Sequence, residues 1–390
     1  MTGPAEAEER PMRDSAIRQI AMTSGFRPWL VTGYAEARAA LADQRLAKDS
    51  RRVAELLDRH SLHGSDSMFG QSLSHHMLNT DPPEHSRLRK LVNKAFTPRA
   101  VERLRPRVED ICADLLAAMA GQQELDLLEA FAVPLPIRMI CELLGVPEPD
   151  REVFRGWSNT LVSALPADVL AEAAGGMSDY LQGLVRAKRA DPDDDMLSAL
   201  AAVREGGDRL TADELVSMAF LLLAAGHETT VNLIGNGMLA LLTHPDQLGA
   251  LRADRSRLPD AIEEFLRYDG PVNQATLRFT AEPVEIGGAR IPAGEFVMVS
   301  IDSANHDGTR YCEPDALDIG RDAAGHLAFG HGIHYCLGAP LARLEAEIAF
   351  TGLLDSFDRI ELAVPAEELE WRCSVVMRGL ERLPVRLGRG

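Results

Sequence analysis

The chain has 390 residues, 46% of them hydrophobic and 5% aromatic, and its 41 Lys and Arg against 59 Asp and Glu give a formal charge of −18. A chain this long buries a large core without staples, and so acidic a surface argues against nucleic acid as a partner. The five cysteines are scattered with no CxxC pair, which argues against a disulfide framework or a structural zinc site.

The opening, Met1 to Arg10, is polar and acidic, without the basic and then apolar pattern of a secretory leader. Residues 1–15 read as a mobile tail. Arg18–Met22 and Pro28–Thr32 read as a two-stranded hairpin. From about 34 to 270, Leu and Ala recur at helical spacing. Breaks fall at Asp81-Pro-Pro83, Thr97-Pro98, Gly145-Val-Pro147 and Asp191-Pro192.

Thr211-Ala-Asp-Glu214 has the pattern of a capping box, and the helical run after it stops at His244-Pro245. A helix of that length, roughly 48 Å at 1.5 Å per residue, apolar on most faces, must cross the protein centre. Its most apolar run, Met218–Gly226, reaches about half the length a bilayer demands. A soluble, cytoplasmic protein with no membrane partner is therefore expected. Beyond Gly270-Pro271, residues 283–300 read as strand, turn, strand. A loop-rich stretch to about 335, a helix over Ala339–Leu354 and short closing strands follow. The fold class is mainly α with a smaller β portion contributed from both ends.

Phe329-Gly-His-Gly-Ile-His-Tyr-Cys-Leu-Gly338 sets three glycines around one cysteine, directly before a helix. Glycine permits close approach and positive φ. The helix start turns N–H groups and its positive dipole end toward the sulfur. That environment favours a thiolate, which suits a soft or redox-active metal, haem iron being one candidate. A buried structural cysteine in a glycine-rich turn is the competing reading.

This segment resembles the cysteine loop of the bacterial cytochrome P450s, the haem-thiolate monooxygenases. Phe329, Gly330, Gly332, Cys336 and Gly338 stand at the family's spacing, and the resemblance runs from about residue 28 to the end. It implies a cytochrome P450 fold, as one domain over 16–390. Haem b would lie between the long central helix and the cysteine-loop helix, with Cys336 as the iron ligand and O2 as co-substrate. Electron donation from the thiolate favours O–O cleavage.

Three further motifs support the resemblance. In Ala225-Gly-His-Glu-Thr-Thr230, an acid beside two hydroxyls at an apolar helix centre needs a task or a partner. Gly226 is expected to let a flat ligand reach the backbone, and Thr229 to bond back to a carbonyl. The resemblance makes Glu228 and Thr229 the acid–alcohol pair that delivers protons, with Ala225 and Gly226 against the haem; a polar patch facing water or another helix competes. Glu264-Phe-Leu-Arg267 pairs a carboxylate and a guanidinium on one helix face. By resemblance it is a buried structural ion pair, with Arg321 as third partner. His85, Arg89, Arg278 and His334 match the family's propionate positions, where arginine suits bidentate carboxylate binding. His75, His76, His326 and His331 read as structural or loop histidines.

The chain has no glycine motif for a nicotinamide dinucleotide after a strand, and no flavin or iron–sulfur pattern. A partner must supply electrons, and the resemblance implies a ferredoxin and its reductase. Residues 85–107 hold eight Lys and Arg against Glu102 alone after Glu84, a patch that could steer an acidic ferredoxin. A solvated helix face competes, and a monomer is expected.

The resemblance maps the substrate wall to Met68, Phe69, Met77, Leu78, Leu161, Leu165, Phe220, Leu223, Ala224, Val272, Asn273, Ala275, Val375 and Val376. They are mostly aliphatic, as suits a large, weakly polar substrate held by shape. The wording of 226–234 and 377–381 is similar to that of actinobacterial members that tailor macrolides and other polyketides; hydroxylation or epoxidation of such a natural product is expected, with a steroid-like or xenobiotic substrate as the alternative. Leu317 stands where the family usually has an aromatic, so looser packing is expected there. The usual first helix is not recognisable in residues 1–17. A haem-based sensor or carrier, a peroxide-driven haem enzyme and a non-haem metal site are the competing classes.

Overall fold

A computed structural model describes residues 16–22, 25–59, 73, 75–161 and 166–388. The expected tail over 1–15 and the pocket candidates Met68, Phe69 and Leu165 lie outside the described residues.

Helices dominate, and sequence punctuation sets their ends. The long helix runs Ala212–Thr243 behind a complete capping box. Thr211 Oγ1 accepts from the Glu214 amide at 3.2 Å, and Glu214 Oε2 accepts from the Thr211 amide at 2.7 Å, satisfying two of the donors a helix start leaves open. Thr97 caps Pro98–Glu102 in the same manner, accepting from the Ala100 amide at 3.1 Å.

The long helix packs against helices Pro134–Leu144, Ala167–Ala190, Leu258–Tyr268 and Ala339–Ser356. By length and composition it could cross a bilayer, which the sequence reading underestimated by counting one short run. Yet 72% of its most apolar window is buried inside the fold, as a core helix requires.

Ten strands are described: β1 (Ile17–Gln19), β2 (Trp29–Val31), β3 (Leu46–Ala47), β4 (Glu124–Asp126), β5 (Arg278–Thr280), β6 (Val284–Ile286), β7 (Ala289–Ile291), β8 (Phe296–Val299), β9 (Arg359–Leu362) and β10 (Pro384–Gly388). They form one five-stranded sheet in the order β1-β2-β8-β5-β3, one of β4-β10-β9, and a β6-β7 hairpin. The expected opening hairpin is β1-β2, with Ile17 opposite Val31. The strand–turn–strand expected over 283–300 is instead the β6-β7 hairpin followed by β8, which leaves it to run parallel to β2 and antiparallel to β5. Thr280 separates them: its hydroxyl donates to Pro292 O at 2.6 Å and accepts from the Glu295 amide at 2.9 Å, turning the chain.

The main core surrounds the long helix, and a second cluster lies beneath the larger sheet. Leu317, where looser packing is expected, is buried in the main core. An aliphatic side chain fills that position well enough to exclude water.

Candidate active site

The cysteine loop is held by its own backbone. The Gly330 amide donates to Leu327 O at 2.8 Å, and the Cys336 amide donates to Phe329 O at 2.9 Å. At Gly332, φ is +76°, and a Cβ would lie 2.8 Å from Ala42 Cα, so glycine is required. Cys336 then leads into helix Ala339–Ser356. Its side chain is accessible, but protein atoms surround the sulfur closely enough that desolvation raises the thiol pKa. The amides of Gly338 and Ala339, with Arg89 and Arg343, pull the other way without prevailing. The sequence reading counted the amides and dipole and left out the burial; a bound metal cation would favour the thiolate there.

A cluster of basic side chains lies beside the loop. The rings of His85 and His334 are 4.3 Å apart. Burial, then Lys48, His85, Arg278 and Arg89, push His334 down to about 2. Lys48 is buried and held well below its ordinary pKa, first by desolvation and then by Arg278. Strand register explains the juxtaposition: β3 pairs Leu46 with Thr280 and Ala47 with Phe279, which brings Lys48 opposite Arg278. Like charges facing across a strand pair repel.

Asp81 spends its oxygens on the amides of Lys48 and Asp49, at 2.9 to 3.0 Å. Both ring nitrogens of His85 and the Nε of Arg278 are buried without a hydrogen-bond partner. Buried nitrogens left without partners and crowded by neighbouring positive charge fit a multiply charged anion, whose arrival would favour their protonated forms. Together with an accessible sulfur at a helix start, they fit haem with its two propionates. Lys48 escaped the sequence reading because nothing in Arg45-Leu-Ala-Lys48 marks it; only the β3–β5 pairing brings it to the site.

At the middle of the long helix, Ala224 and Ala225 are accessible while Leu223, His227 and Glu228 are buried. Thr229 Oγ1 donates to Ala225 O at 2.8 Å, the expected back-bond. Glu228 is buried, and its Oε1 accepts from Arg372 Nη1 at 3.1 Å. Burial raises the carboxyl pKa, and Arg372 opposes it only in part. Arg372 was not foreseen. At Gly226 a Cβ would meet Ile140 Cδ1 at 3.0 Å, so the glycine also admits a neighbouring helix.

The Glu264–Arg267 pair is fully buried, with side-chain exposure of 0% for both, and bidentate at 2.7 Å. Arg321 Nε reaches Glu264 Oε1 at 3.2 Å. Arg267 also donates to Pro314 O at 2.7 Å and Ala316 O at 3.1 Å, so the motif pins the loop before the cysteine. Beside it, Glu263 binds Arg343 at 2.6 Å and His326 at 3.1 Å. Burial disfavours its charge, but these partners hold the carboxyl at about 2. His326 Nδ1 accepts from the Ala328 amide, which fixes the ring in the loop.

Two distant segments meet as a substrate wall requires. Val272 bridges to Met377, and the Asn273 amide donates to Val376 O at 2.8 Å. Ala275 donates to Val299 O at 2.9 Å. Val375 and Val376 are 53% and 42% exposed. Leu78 is half-buried, whereas Met77, Phe220 and Leu223 lie in the main core.

The basic stretch over 85–107 is largely neutralised within the chain. Arg87 binds Asp208 and Glu214, Lys90 and Lys94 bind Glu205, Arg105 binds Glu102 and Glu347, and Arg107 binds Glu142. Arg89 acts on Cys336. Arg99 and Arg103 remain exposed without an ion-pair partner among the described residues. Counting charge along the sequence misses carboxylates delivered by other elements. No cluster of three or more His, Cys, Asp or Glu side chains suited to a metal occurs among the described residues.

Thiol, helix start and basic cluster together fit a haem-binding oxidoreductase, and comparison with known proteins agrees. Residues 167–378 match the cytochrome P450 family model. Cytochrome P450 107B1 of Saccharopolyspora erythraea is 52% identical over 378 residues, covering 97% of this chain and 93% of that one. The 6-deoxyerythronolide B hydroxylase of the same organism is 46% identical over 368 residues, covering 93% and 91%. The tirandamycin C-bound monooxygenase TamI superposes with a TM-score of 0.88 at 51% identity, covering 96% of this chain and 94% of that one. The chain belongs to the cytochrome P450 family. It is a monooxygenase that works with haem iron and O2.

Proposed function

We propose that this monooxygenase hydroxylates or epoxidises a large, weakly polar natural product of the macrolide or polyketide kind, with residues 16–390 acting as one cytoplasmic, monomeric domain. The observation that carries the site is the Cys336 sulfur facing Arg89 across from His334, whose ring packs on His85, with the ring nitrogens of His85 and the Nε of Arg278 buried and unpartnered. Cys336 would hold the iron through its sulfur, with Phe329, Gly330 and Gly338 shaping the loop. Lys48, His85, Arg89, Arg278 and His334 would bind the propionates as charge-assisted donors. Haem b so held supplies the reductive activation of O2. Thr229 stands one residue beyond Glu228, and the pair would pass protons from solvent into the site. Glu264, Arg267 and Arg321 support the loop rather than react.

Ala224, Leu78, Val272, Asn273, Ala275, Val375 and Val376 would line the substrate. Their aliphatic character, and the compounds named in two relatives, support a polyketide over a charged substrate. Electrons would come from a ferredoxin and its reductase, with Arg99 and Arg103 as contacts, since the chain carries no motif for its own flavin or nicotinamide. The test is turnover with ferredoxin, reductase and NADPH, after a compound screen for displacement of the water on ferric iron. A product one oxygen heavier is expected from a polyketide hit. Hits confined to steroids would move the substrate class. Thr229→Ala should raise peroxide release relative to product; unchanged coupling would remove the proton-delivery role.

A further inference from the structure

The long helix carries a polar stripe that extends from Glu228 beyond the reacting centre. Glu228, Asn232 and Asn236 are all buried and recur every four residues, so they share one face. All three meet the same element, the hairpin closed by the Trp371–Leu380 bridge. Glu228 takes Arg372 at 3.1 Å. Asn232 fills the space where a Cβ on Gly379 would lie. Asn236 Nδ2 donates to Arg378 O at 3.0 Å.

The hairpin is stiff at its base. The Arg372 amide donates to Gly379 O at 2.9 Å, and Arg378 stacks on Trp371 while binding Asp269 at 2.8 Å. Its tip carries exposed Val375 and Val376 and pairs with Asn273. Arg372 is the one charged side chain found to act on Glu228 among the described residues. Its neighbour His227 turns away, donating from Nδ1 to Leu223 O at 2.9 Å, with Nε2 3.4 Å from Ser158.

We propose that Arg372 is a positioning residue for proton delivery: it fixes the Glu228 carboxyl from a hairpin held at its base by backbone pairing. The inference rests on the reading of Glu228 as the proton donor. Burial alone drives this carboxyl upward, and the guanidinium restrains it. An opposite charge at this range lowers a carboxyl pKa by roughly one to three units.

The test uses the haem-loaded protein. The carboxyl infrared band that Glu228→Gln removes is titrated in the parent, Arg372→Met and Arg372→Lys. Arg372→Met should move its midpoint up by at least about one pH unit, and Arg372→Lys should restore most of it. In parallel, the share of NADPH electrons released as peroxide is measured without added substrate. It should rise severalfold in Arg372→Met, and no further when Arg372→Met is added to Glu228→Gln.

An unmoved midpoint, or an equal rise in the Glu228→Gln background, overturns the proposal. A normal reduced CO band in each variant shows the fold intact; where Arg372→Met loses it, Arg372→Lys decides, a midpoint and peroxide share equal to the parent's supporting the proposal and an Arg372→Met-like shift opposing it. If Glu228→Gln itself leaves peroxide release unchanged, the donor reading falls first. If it uncouples and Arg372→Met does not, the inference alone falls.

Discussion

Glu345, nine residues beyond the cysteine on helix Ala339–Ser356, is buried, and its Oε2 has no hydrogen-bond partner. Desolvation alone pushes its carboxyl up to about 8 from an ordinary 4.5. The folded-state value lies above the unfolded one. The folded protein therefore keeps a proton that the unfolded chain surrenders above about pH 4.5. Stability from this group is complete below that pH and declines until the folded carboxyl ionises near 8. At about 1.4 kcal/mol per tenfold in proton affinity, the full decline is roughly 5 kcal/mol, as an upper bound.

Glu345→Gln keeps the shape and removes the titration. Urea unfolding of the holoprotein, followed by haem absorbance and near-ultraviolet dichroism, should be run for parent and variant from pH 5 to 9. The variant should match the parent within about 1 kcal/mol at pH 5 and exceed it by several at pH 8.5, with the gap opening between. A gap that does not change with pH would show that Glu345 titrates normally, and the reasoning would fail.

Two further outcomes follow from buried charge. Arg267→Met leaves Glu264 without its bidentate partner in a site of no exposure, and should lower stability by about 3–5 kcal/mol in denaturant titration; a loss under 1 kcal/mol would contradict the buried-pair reading. Lys48→Met should have opposite effects on two states. It relieves repulsion with Arg278 and so should raise the melting temperature of haem-free protein. It also removes one propionate donor and should speed haem transfer to apomyoglobin by roughly tenfold or more, for a charged contact of about 1.5–3 kcal/mol. Haem transfer at the parent rate would remove Lys48 from the site.

What the sequence revealed was what local spacing determines. The capping box at Thr211, the Glu264–Arg267 pair and the Thr229 back-bond each involve groups within four residues, so their geometry follows from the helix itself. Lys48 and Arg372 were illegible because a β pairing and a terminal hairpin carry them to partners 230 and 144 residues away. The contact of Gly226 with Ile140 was illegible because which way a helical glycine faces depends on the rotation of the whole helix against its neighbours. The partial neutralisation of the basic stretch was illegible for a similar reason, since the carboxylates that pair with it come from as far as Glu347.

The parallel pairing of β2 with β8 has a temporal consequence. Trp29 meets Val297, so the larger sheet cannot close until some three hundred residues have been synthesised. At about 10 residues per second, the first strands wait roughly half a minute for their partner. β4 waits similarly for β10. Until then β2 offers an unpaired edge to any other nascent chain. Expression yield should therefore depend on protecting that edge during synthesis, and slower growth temperatures or a chaperone that shields short apolar strands should raise the fraction of soluble chains.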